Sequence, residues 1–448
     1  MPLRVASHPA KTISATQAAA MVRPGMWIDY GATLCQPDVF DQALAERKDE
    51  LHDVKFRSCI TMRPRAVLEC DPEGHHFHWF SMHFSGYDRQ WHDKGRAHYL
   101  PVNLGEIPDY YQRFIDPVDI VVLKTCREDE HGFFNFSASN LWHRDIIERA
   151  KCVMVEVTDG LPYVHGVRNG VHRSEVDFVI EGDHQAAPAL PQPSATQVDV
   201  AVGQLIAAEI EDGACLQIGI GGMPNAVCEQ LLHSPAQDLG VHSEMLTEGM
   251  VKLYQAGKVT NAKKQVHTGK MAFSFGLGSP GYYASLHRNP DMACLPVQDT
   301  NLPHEIMRNH RVVAINNTTQ MDLQGQAASE SDGFRHISGT GGQLQFVRGA
   351  YASEGGKSFM CLSSTFEKNG QRKSRIALSL TPGNMVTTPR TDMMYVVTEY
   401  GIVNLKGKSV PERALALISI AHPDYREALT RQAYEHRLLA RGVSFSRH

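Results

Sequence analysis

Two carboxylates and two glycine-rich segments are the parts of this sequence that could do chemistry together. The first glycine segment, residues 219–227, lies between a short apolar run and a helical pattern, and the second spans residues 338–343. Glycines there let backbone N–H groups approach a phosphate or a developing oxyanion closely. Glu244 and Glu399 each follow an apolar run as well. A carboxylate nucleophile with backbone donors is what acyl transfer through a covalent intermediate requires.

Other kinds of site match these residues less well. An isolated glycine cluster can be a tight turn without a ligand. A dinucleotide-binding turn would need a third glycine at position 224, which is Pro224. Two Gly-Lys-Ser triplets, beginning at Gly356 and Gly407, resemble part of a P-loop. The glycine that a P-loop needs five positions earlier is replaced by Tyr351 and Ile402, so ordinary turns are predicted at both triplets.

A group of histidines raises the question of a metal site. Alternate residues of a strand share one face, as metal ligands would need to. The group lies among aromatic residues and has no ordered Cys or carboxylate partner, so we predict structural or pocket-lining histidines and no metal. The histidines are His75, His76, His78 and His83.

The composition indicates an ordinary globular protein of two α/β domains. Hydrophobic residues make up 42% and charged residues 21%, and 448 residues exceed one ordinary core. The net charge of -5 offers no basic surface for nucleic acid. The first ten residues lack the pattern of a signal peptide, and no window approaches a membrane span. The nine cysteines contain no CxxC pair, which predicts reduced, mostly buried thiols in a cytoplasmic protein.

A proline-rich stretch at residues 184–196 is predicted to link the two domains, because three prolines among small residues forbid a regular helix. We place the domains at residues 1–190 and 197–448. Each opens with a helical pattern, a glycine and a short apolar strand, at 14–31 and at 198–219. Two related open α/β domains are therefore expected.

Continuous apolar runs alternate with helical patterns in both domains. Such runs are typical of strands in parallel sheets that are covered on both faces. Ligands of these sheets bind beyond the carboxyl ends of the strands, where the candidate residues lie. The predicted strands are 120–123, 153–157, 312–315 and 394–397, and the predicted helices include 141–150 and 410–420.

The motifs and their order resemble the acetyl-CoA hydrolase/transferase family, whose members include CoA-transferases for 4-hydroxybutyrate, for butyryl-CoA and acetate, and for succinyl-CoA and acetate. The resemblance runs from about Ser14 to Leu439. Where the family commonly has an Asp two residues after the Gln of the second glycine motif, this sequence has Gln345. The matching motifs are Gly-x-Gly-Gly-x-Pro-Asn-Ala-Val at 219–227, His-Ser-Glu-Met at 242–245, Gly-Thr-Gly-Gly-Gln at 339–343 and Thr-Glu-Tyr-Gly at 398–401.

The resemblance implies a CoA-transferase fold and a ping-pong reaction through Glu244, which would form an acyl-glutamyl anhydride and then a glutamyl-CoA thioester. Glu399 would be the second active-site carboxylate. The oxyanion hole would come from the N–H of Ile220 or Gly221 with that of Gly341 or Gly342. CoA would be a substrate and no cofactor would be tightly bound. The residues that the resemblance implies as contacts of CoA are Gly219, Gly222, Asn225, Gln343 and, for its phosphates, Lys368.

Within the family, the segments at 76–90, 101–111, 160–172 and 325–333 look most like the itaconate CoA-transferase subgroup. The acid would then be itaconate, with succinyl-CoA or acetyl-CoA as donor. A 4-hydroxybutyrate or butyryl-CoA:acetate transferase, an acyl-CoA hydrolase and a non-catalytic CoA-binding protein are the alternatives. A homodimer or larger homo-oligomer is expected. Candidate residues for binding the acid, each with a solvent-facing role as the default, are Arg63, Arg65 and Arg308.

Overall fold

The computed structural model describes residues 4–191 and 193–440 of the chain. These residues form two compact units, and the first contains the chain as far as Pro191 together with Ser243–Glu248 and Lys270–Leu302. The second unit contains the remainder. The predicted domain limits at residues 1 and 448, and Gln192 within the predicted linker, lie outside the described residues. Two segments that the sequence pattern assigns to the C-terminal domain, one of them carrying Glu244, thus belong to the first unit.

The first unit is built on an eight-stranded sheet in which every pairing is parallel, in the order β1-β10-β8-β6-β2-β3-β4-β5. Strands β7 and β9 form a separate antiparallel pair. The strands are β1 Lys11–Ile13, β2 Trp27–Ala32, β3 Val54–Cys59, β4 Phe77–Ser81, β5 Ala97–Tyr99, β6 Ile120–Cys126, β7 Phe133–Asn135, β8 Cys152–Thr158, β9 Gly170–His172 and β10 Phe178–Glu181. The helices are α1 Ala15–Ala19, α2 Val39–Ala45, α3 Ala66–Glu69, α4 Gly86–Asp93, α5 Ile107–Arg113 and α6 His143–Arg149.

The C-terminal half alternates strands and helices in the same manner. Its strands are β11 Cys215–Ile218, β12 Gly240–Leu246, β13 Met271–Gly276, β14 Met292–Cys294, β15 Val312–Asn317, β16 Gln320–Asp322, β17 Ala327–Ala328, β18 Ser331–Asp332, β19 Arg335–His336, β20 Lys357–Cys361, β21 Thr365–Lys368, β22 Gln371–Ser374, β23 Ile376–Ala377, β24 Tyr395–Thr398 and β25 Gly401–Asn404. Its helices are α7 Gln197–Ala207, α8 Gly222–His233, α9 Glu248–Gln255, α10 Pro280–Leu286, α11 Val297–Asn301, α12 Pro303–Ile306, α13 Gln343–Ala352, α14 Val410–Ile420 and α15 Pro423–Glu435.

Parallel pairing also dominates the sheet of the second unit. The start of β12 pairs with β11, and β11, β15, β20 and β24 follow one another in parallel. The edge strand β25 is antiparallel to its neighbour β24. In the first unit, β13 pairs in parallel with β14. The prediction of α/β architecture with mainly parallel sheets is confirmed.

The strands predicted from continuous apolar runs are present because those runs are buried on both faces. All seven residues of β6 are buried, and six of the seven residues of β8 are buried. The helix predicted at 410–420 has those limits in α14. Residues 184–191 and 193–196 contain no helix or strand. The turn predicted at the Gly-Lys-Ser triplet that begins at Gly356 was wrong in part, since Lys357 and Ser358 begin β20 and pair with β15.

Both glycine segments lie directly before a helix. Gly221 is the N-cap of α8, which follows β11, and Gly342 is the N-cap of α13. The first N–H groups of a helix have no acceptor within that helix, so each segment is followed by donors that a ligand can use. The fold therefore supplies two helix N-termini at the places where the motifs were found.

The nine cysteines are all free thiols, and seven of them are buried. This confirms the prediction of mostly buried thiols. Among residues 4–191 and 193–440, no helix combines the length and the apolar character needed to cross a membrane.

Gly31 at the end of β2 offers a test of packing in the first unit. Its φ is +61°, and a Cβ there would lie 2.6 Å from Leu123 Cδ2 and 2.7 Å from the His143 ring. Burial holds the pKa of His143 at about 3, so this ring stays neutral, and its Nε2 accepts from the Ala32 N–H at 3.1 Å. Gly31→Ala is expected to lower the free energy of unfolding by about 3 kcal/mol, through positive φ and overpacking together.

Gly25→Ala is the matched control, because Gly25 has a φ of +80° and nothing within 4 Å of an added Cβ. This substitution is expected to lower the free energy of unfolding by about 1 kcal/mol, because only the backbone conformation is unfavourable. Urea unfolding of both variants followed by circular dichroism measures the difference. Equal losses would show that the contacts at Gly31 relax without cost.

Candidate functional site

Glu244 lies within strand β12, close to its carboxyl end, and not beyond the end of a strand as its sequence context predicted. It is the one partly exposed residue of this strand, and the residues on either side of it, Ser243 and Met245, are buried. The Ser243 hydroxyl donates to the Met245 carbonyl at 2.7 Å. A carboxylate is thus presented at the end of a rigid strand, the position where parallel sheets commonly bind ligands.

Asn301, the last residue of α11, holds this carboxylate. Its Nδ2 donates to Glu244 Oε2 at 2.5 Å, and its side chain is completely buried. The Thr300 hydroxyl donates to Asn301 Oδ1 at 2.9 Å, so the amide has its oxygen toward Thr300 and its nitrogen toward Glu244. The amide is therefore oriented as a donor to Glu244.

The negative charge of Glu244 affects the thiol of Cys59, which is buried in the same unit. Burial raises the pKa of Cys59, at the end of β3, well above its usual value, and the carboxylates of Asp88 and Glu244 raise it further. Cys59 therefore stays a neutral thiol in the surroundings of Glu244.

In the second unit, residues 219–221 form the turn between β11 and α8, which begins at Gly222. The Gly219 N–H donates to the Ile315 carbonyl at 3.1 Å, and Ile220 is exposed. Gly221 has a φ of +127°, which a residue with a side chain rarely adopts. A Cβ on Gly222 would lie 2.9 Å from Asp199 Oδ2, so this glycine permits close packing against α7. Asn225 is in the first turn of α8, and its N–H donates to the Gly221 carbonyl at 3.1 Å.

The second glycine segment is anchored by the side chain at its end. Gly341 has a φ of +58°. Gln343 Nε2 donates to both Ser329 Oγ and Thr388 Oγ1 at 2.9 Å. These two bonds use both hydrogens of the amide, so within its unit the Gln343 side chain supports the loop. Gln345, at the position where the family commonly has Asp, is buried in α13.

Glu399, at the end of β24, is bound at both oxygens by one residue. The Ser364 N–H donates to Glu399 Oε2 at 2.9 Å, and the Ser364 hydroxyl donates to Glu399 Oε1 at 2.5 Å. Gly401, two residues further on, has a φ of +143°. Glu399 is therefore a fixed carboxylate, and its surroundings differ from those of Glu244.

The remaining candidates lie in varied places. Lys368 is on the exposed hairpin of β21 and β22 and pairs with Asp332 Oδ2 at 3.0 Å. Arg308 is exposed and pairs with Glu305 at 2.6 Å. The solvent-facing default was wrong for Arg65, which is 1% exposed because its guanidinium pairs with the buried Asp38 at 2.7 Å. Arg63 also pairs with Asp38.

The histidine group has structural contacts. His76 Nδ1 hydrogen-bonds to the Leu51 carbonyl at 2.7 Å, and His78 Nε2 lies 3.7 Å from Asp53. No set of three or more His, Cys, Asp or Glu residues in the described chain is arranged to hold a metal ion.

Two family models match this chain. The model described as "Acetyl-CoA hydrolase/transferase N-terminal domain" matches residues 4–191, and that described as "Acetyl-CoA hydrolase/transferase C-terminal domain" matches residues 278–433. A butyryl-CoA:acetate CoA-transferase of Anaerostipes caccae is 43% identical over 426 residues, which are 94% of this chain and 96% of that protein.

Two solved structures show a similar fold. RipA from Yersinia pestis has a TM-score of 0.87 and 34% identity, with 96% of this chain and 98% of that chain covered. A 4-hydroxybutyrate CoA-transferase from Porphyromonas gingivalis has a TM-score of 0.78 and 30% identity, with coverage of 95% and 98%.

Proposed function

Since the chain belongs to the acetyl-CoA hydrolase/transferase family and is a CoA-transferase acting between an acyl-CoA and a carboxylate, we propose that Glu244 is the residue that becomes covalently linked to CoA. The observation that carries the proposal is the bond from Asn301 Nδ2 to Glu244 Oε2. A donor on the charged form favours ionised carboxylate over the acid. It also holds the carboxylate in a fixed position near the end of its strand.

The first half-reaction has two steps. A carboxylate oxygen of Glu244 attacks the carbonyl carbon of the acyl-CoA, the C–S bond breaks, and CoA leaves as a thiolate. The thiolate then attacks the glutamyl carbonyl carbon of the resulting anhydride, and the bond from that carbon to the acyl carboxylate oxygen breaks. The first acid leaves as a carboxylate, and Glu244 remains as a CoA thioester.

The second acid reverses these steps. Its carboxylate attacks the glutamyl thioester and expels the thiolate, which attacks the acyl carbonyl of the new anhydride and releases Glu244. Every nucleophile and every leaving group is an anion, so no step gains or loses a proton. The thioester bond is conserved as long as water does not attack an intermediate.

We assign the nucleophile to Glu244 and not to Glu399, as the resemblance to the family implies. Both oxygens of Glu399 accept hydrogen bonds from Ser364, which lowers the availability of either for attack. We assign Glu399 a supporting role, in orienting Glu244 or in excluding water from the anhydride. A role in support suits a carboxylate whose position is fixed.

We assign the oxyanion hole to the N–H of Ile220 or Gly221 together with that of Gly341 or Gly342. Positive φ values at Gly221 and Gly341 and the helix that follows each segment support this assignment. Losing one such donor typically costs ~3–4 kcal/mol of transition-state stabilisation. CoA contacts at Gly219, Gly222, Asn225, Gln343 and Lys368 remain proposals, and at Gln343 the contact would come from the backbone because its amide is used within the loop.

The acid that we propose is a small carboxylate, with itaconate first among the candidates because of the resemblance to that subgroup. The names of the similar proteins add acetate, butyrate and 4-hydroxybutyrate as alternatives. A panel of succinyl-CoA, acetyl-CoA and butyryl-CoA against these four acids, with acyl-CoA products separated by chromatography, should give the highest kcat/KM for itaconate. A higher value for another acid would reject itaconate.

Covalent chemistry at the proposed residue can be tested directly. Purified protein incubated with acyl-CoA in the absence of an acid should gain the mass of CoA less water. Mild borohydride should convert that thioester to an alcohol, and peptide mapping should locate the change at Glu244. Absence of any adduct would reject the covalent proposal. Free thiol released faster than CoA is transferred to added acids would instead identify a hydrolase.

A further inference from the structure

Behind Glu244 and Asn301 the first unit contains a line of buried hydroxyl groups. Ser274 Oγ lies 2.6 Å from Thr300 Oγ1, and Thr300 Oγ1 lies 2.9 Å from Asn301 Oδ1. Ser274, Thr300 and Asn301 have 0% exposed surface. The line runs from strand β13 to the end of α11 and ends at Glu244 Oε2, 2.5 Å from Asn301 Nδ2.

We propose that Ser274 and Thr300 are positioning residues, which act on Glu244 by fixing the orientation of the Asn301 amide. The proposal rests on Glu244 being the proposed nucleophile. If the amide rotated by 180°, its oxygen would face the Glu244 carboxylate, and two acceptors would meet without a hydrogen between them. Such a contact would displace the carboxylate and remove its donor.

The Thr300 hydroxyl selects one orientation of the amide because it has a single hydrogen. Three acceptors are within reach of that hydrogen: Asn301 Oδ1 at 2.9 Å, the Val297 carbonyl at 3.1 Å and Ser274 Oγ at 2.6 Å. When Ser274 donates to Thr300, its oxygen is no longer an acceptor for Thr300. The Thr300 hydrogen is then directed to Asn301 Oδ1, which lies nearer to Thr300 Oγ1 than the Val297 carbonyl does.

Ser274 is itself held by the backbone around it. Its carbonyl accepts from the Asn140 N–H at 2.9 Å and from the Cys294 thiol at 3.3 Å. Strand β13 is buried over its whole length. The first hydroxyl of the line is therefore attached to rigid backbone, which is what a group that positions others requires.

Thr300→Val is the principal test, because valine keeps the shape and removes the hydroxyl. We expect kcat for CoA transfer to fall on the order of 30-fold, with KM for acyl-CoA within about twofold, since a misplaced nucleophile affects the chemical step. Thr300→Ser, which restores the hydroxyl, should return kcat to within about threefold of the original protein. Ser274→Ala should give a smaller loss, of about fivefold.

A double-mutant cycle separates action through Asn301 from a general effect on packing. In the Asn301→Ala background, the further change Thr300→Val should alter the rate of glutamyl-CoA formation by less than about twofold. The amide that the Thr300 hydroxyl would orient is absent from this background. An equal loss in both backgrounds, or unchanged kcat in Thr300→Val, would overturn the proposal. If Thr300→Val does not fold, Ser274→Ala in the same two backgrounds decides by the same criterion. Failure of the original protein to form the adduct would instead count against Glu244 as the nucleophile.

Discussion

Replacing Glu244 by alanine is expected to lower kcat for CoA transfer by on the order of 10⁴-fold or more, because the covalent route then has no nucleophile. The folded structure should persist, since Glu244 is the partly exposed residue of its strand. The loss is measured as transfer between an acyl-CoA and an acid, and intact mass should show no CoA adduct. A CoA adduct that still forms in Glu244→Ala would place the nucleophile elsewhere.

Glu244→Asp separates the need for a carboxylate from the need for its position. Aspartate keeps the charge but withdraws the oxygens by one methylene, and a displacement of about 1 Å costs on the order of 10²-fold in rate. Glu427→Ala is the matched control, because Glu427 is an exposed carboxylate on α15. It should leave kcat and KM unchanged. Loss of transfer in this control would mean that the assay responds to charge in general.

The sequence predicts the frame of the protein well because its strands are buried on both faces. Apolar runs such as those of β6 and β8 can satisfy both their packing and their backbone only in a covered parallel sheet. The helical pattern predicted from residue 198 corresponds to α7, which begins one residue earlier and ends at Ala207. Thr196 caps this helix, because its hydroxyl accepts from the Asp199 N–H.

Local patterns fail where a segment joins a unit that is distant in sequence. Ser243–Glu248 and Lys270–Leu302 belong with the first unit although both follow the proline-rich linker. The apolar character of β13 and β14 indicates burial but does not specify against which core they pack. A boundary drawn at a linker therefore cannot show that Glu244 belongs to the first unit.

The partner of Glu244 was missed for the same reason. Asn301 is 57 residues away along the chain, and an Asn at the end of a short helix is most often a cap. Thr300 and Asn301 stand directly before Leu302 and Pro303 in the sequence, and their complete burial is visible only in the structure. In the sequence the two residues follow the polar Gln298 and Asp299, so the residue order does not show which carboxylate they serve.

Asn301→Asp is expected to reduce kcat more than Asn301→Ala, although aspartate is nearly the same shape as asparagine. In the original protein the amide donates to Glu244 Oε2 at 2.5 Å. A carboxylate oxygen at that distance would repel Glu244, and two carboxylates so close share one proton, which raises the pKa of one of them. The nucleophile would then be partly protonated at neutral pH. We expect a loss of about 10³-fold for Asn301→Asp and about 10²-fold for Asn301→Ala.

The pH dependence distinguishes charge from geometry in this pair of variants. Raising the pH should recover part of the activity of Asn301→Asp, because the shared proton is lost as pH passes the raised pKa. Asn301→Ala has no such second carboxylate and should recover less. Asn289→Asp, at an asparagine whose amide donates to the Ser285 carbonyl at 3.0 Å, makes the same chemical change at a different place in the first unit and should stay within about twofold of the original rate. If Asn301→Ala were the slower enzyme at every pH, the donor role of the amide would outweigh repulsion, and the carboxylate would tolerate a charged neighbour.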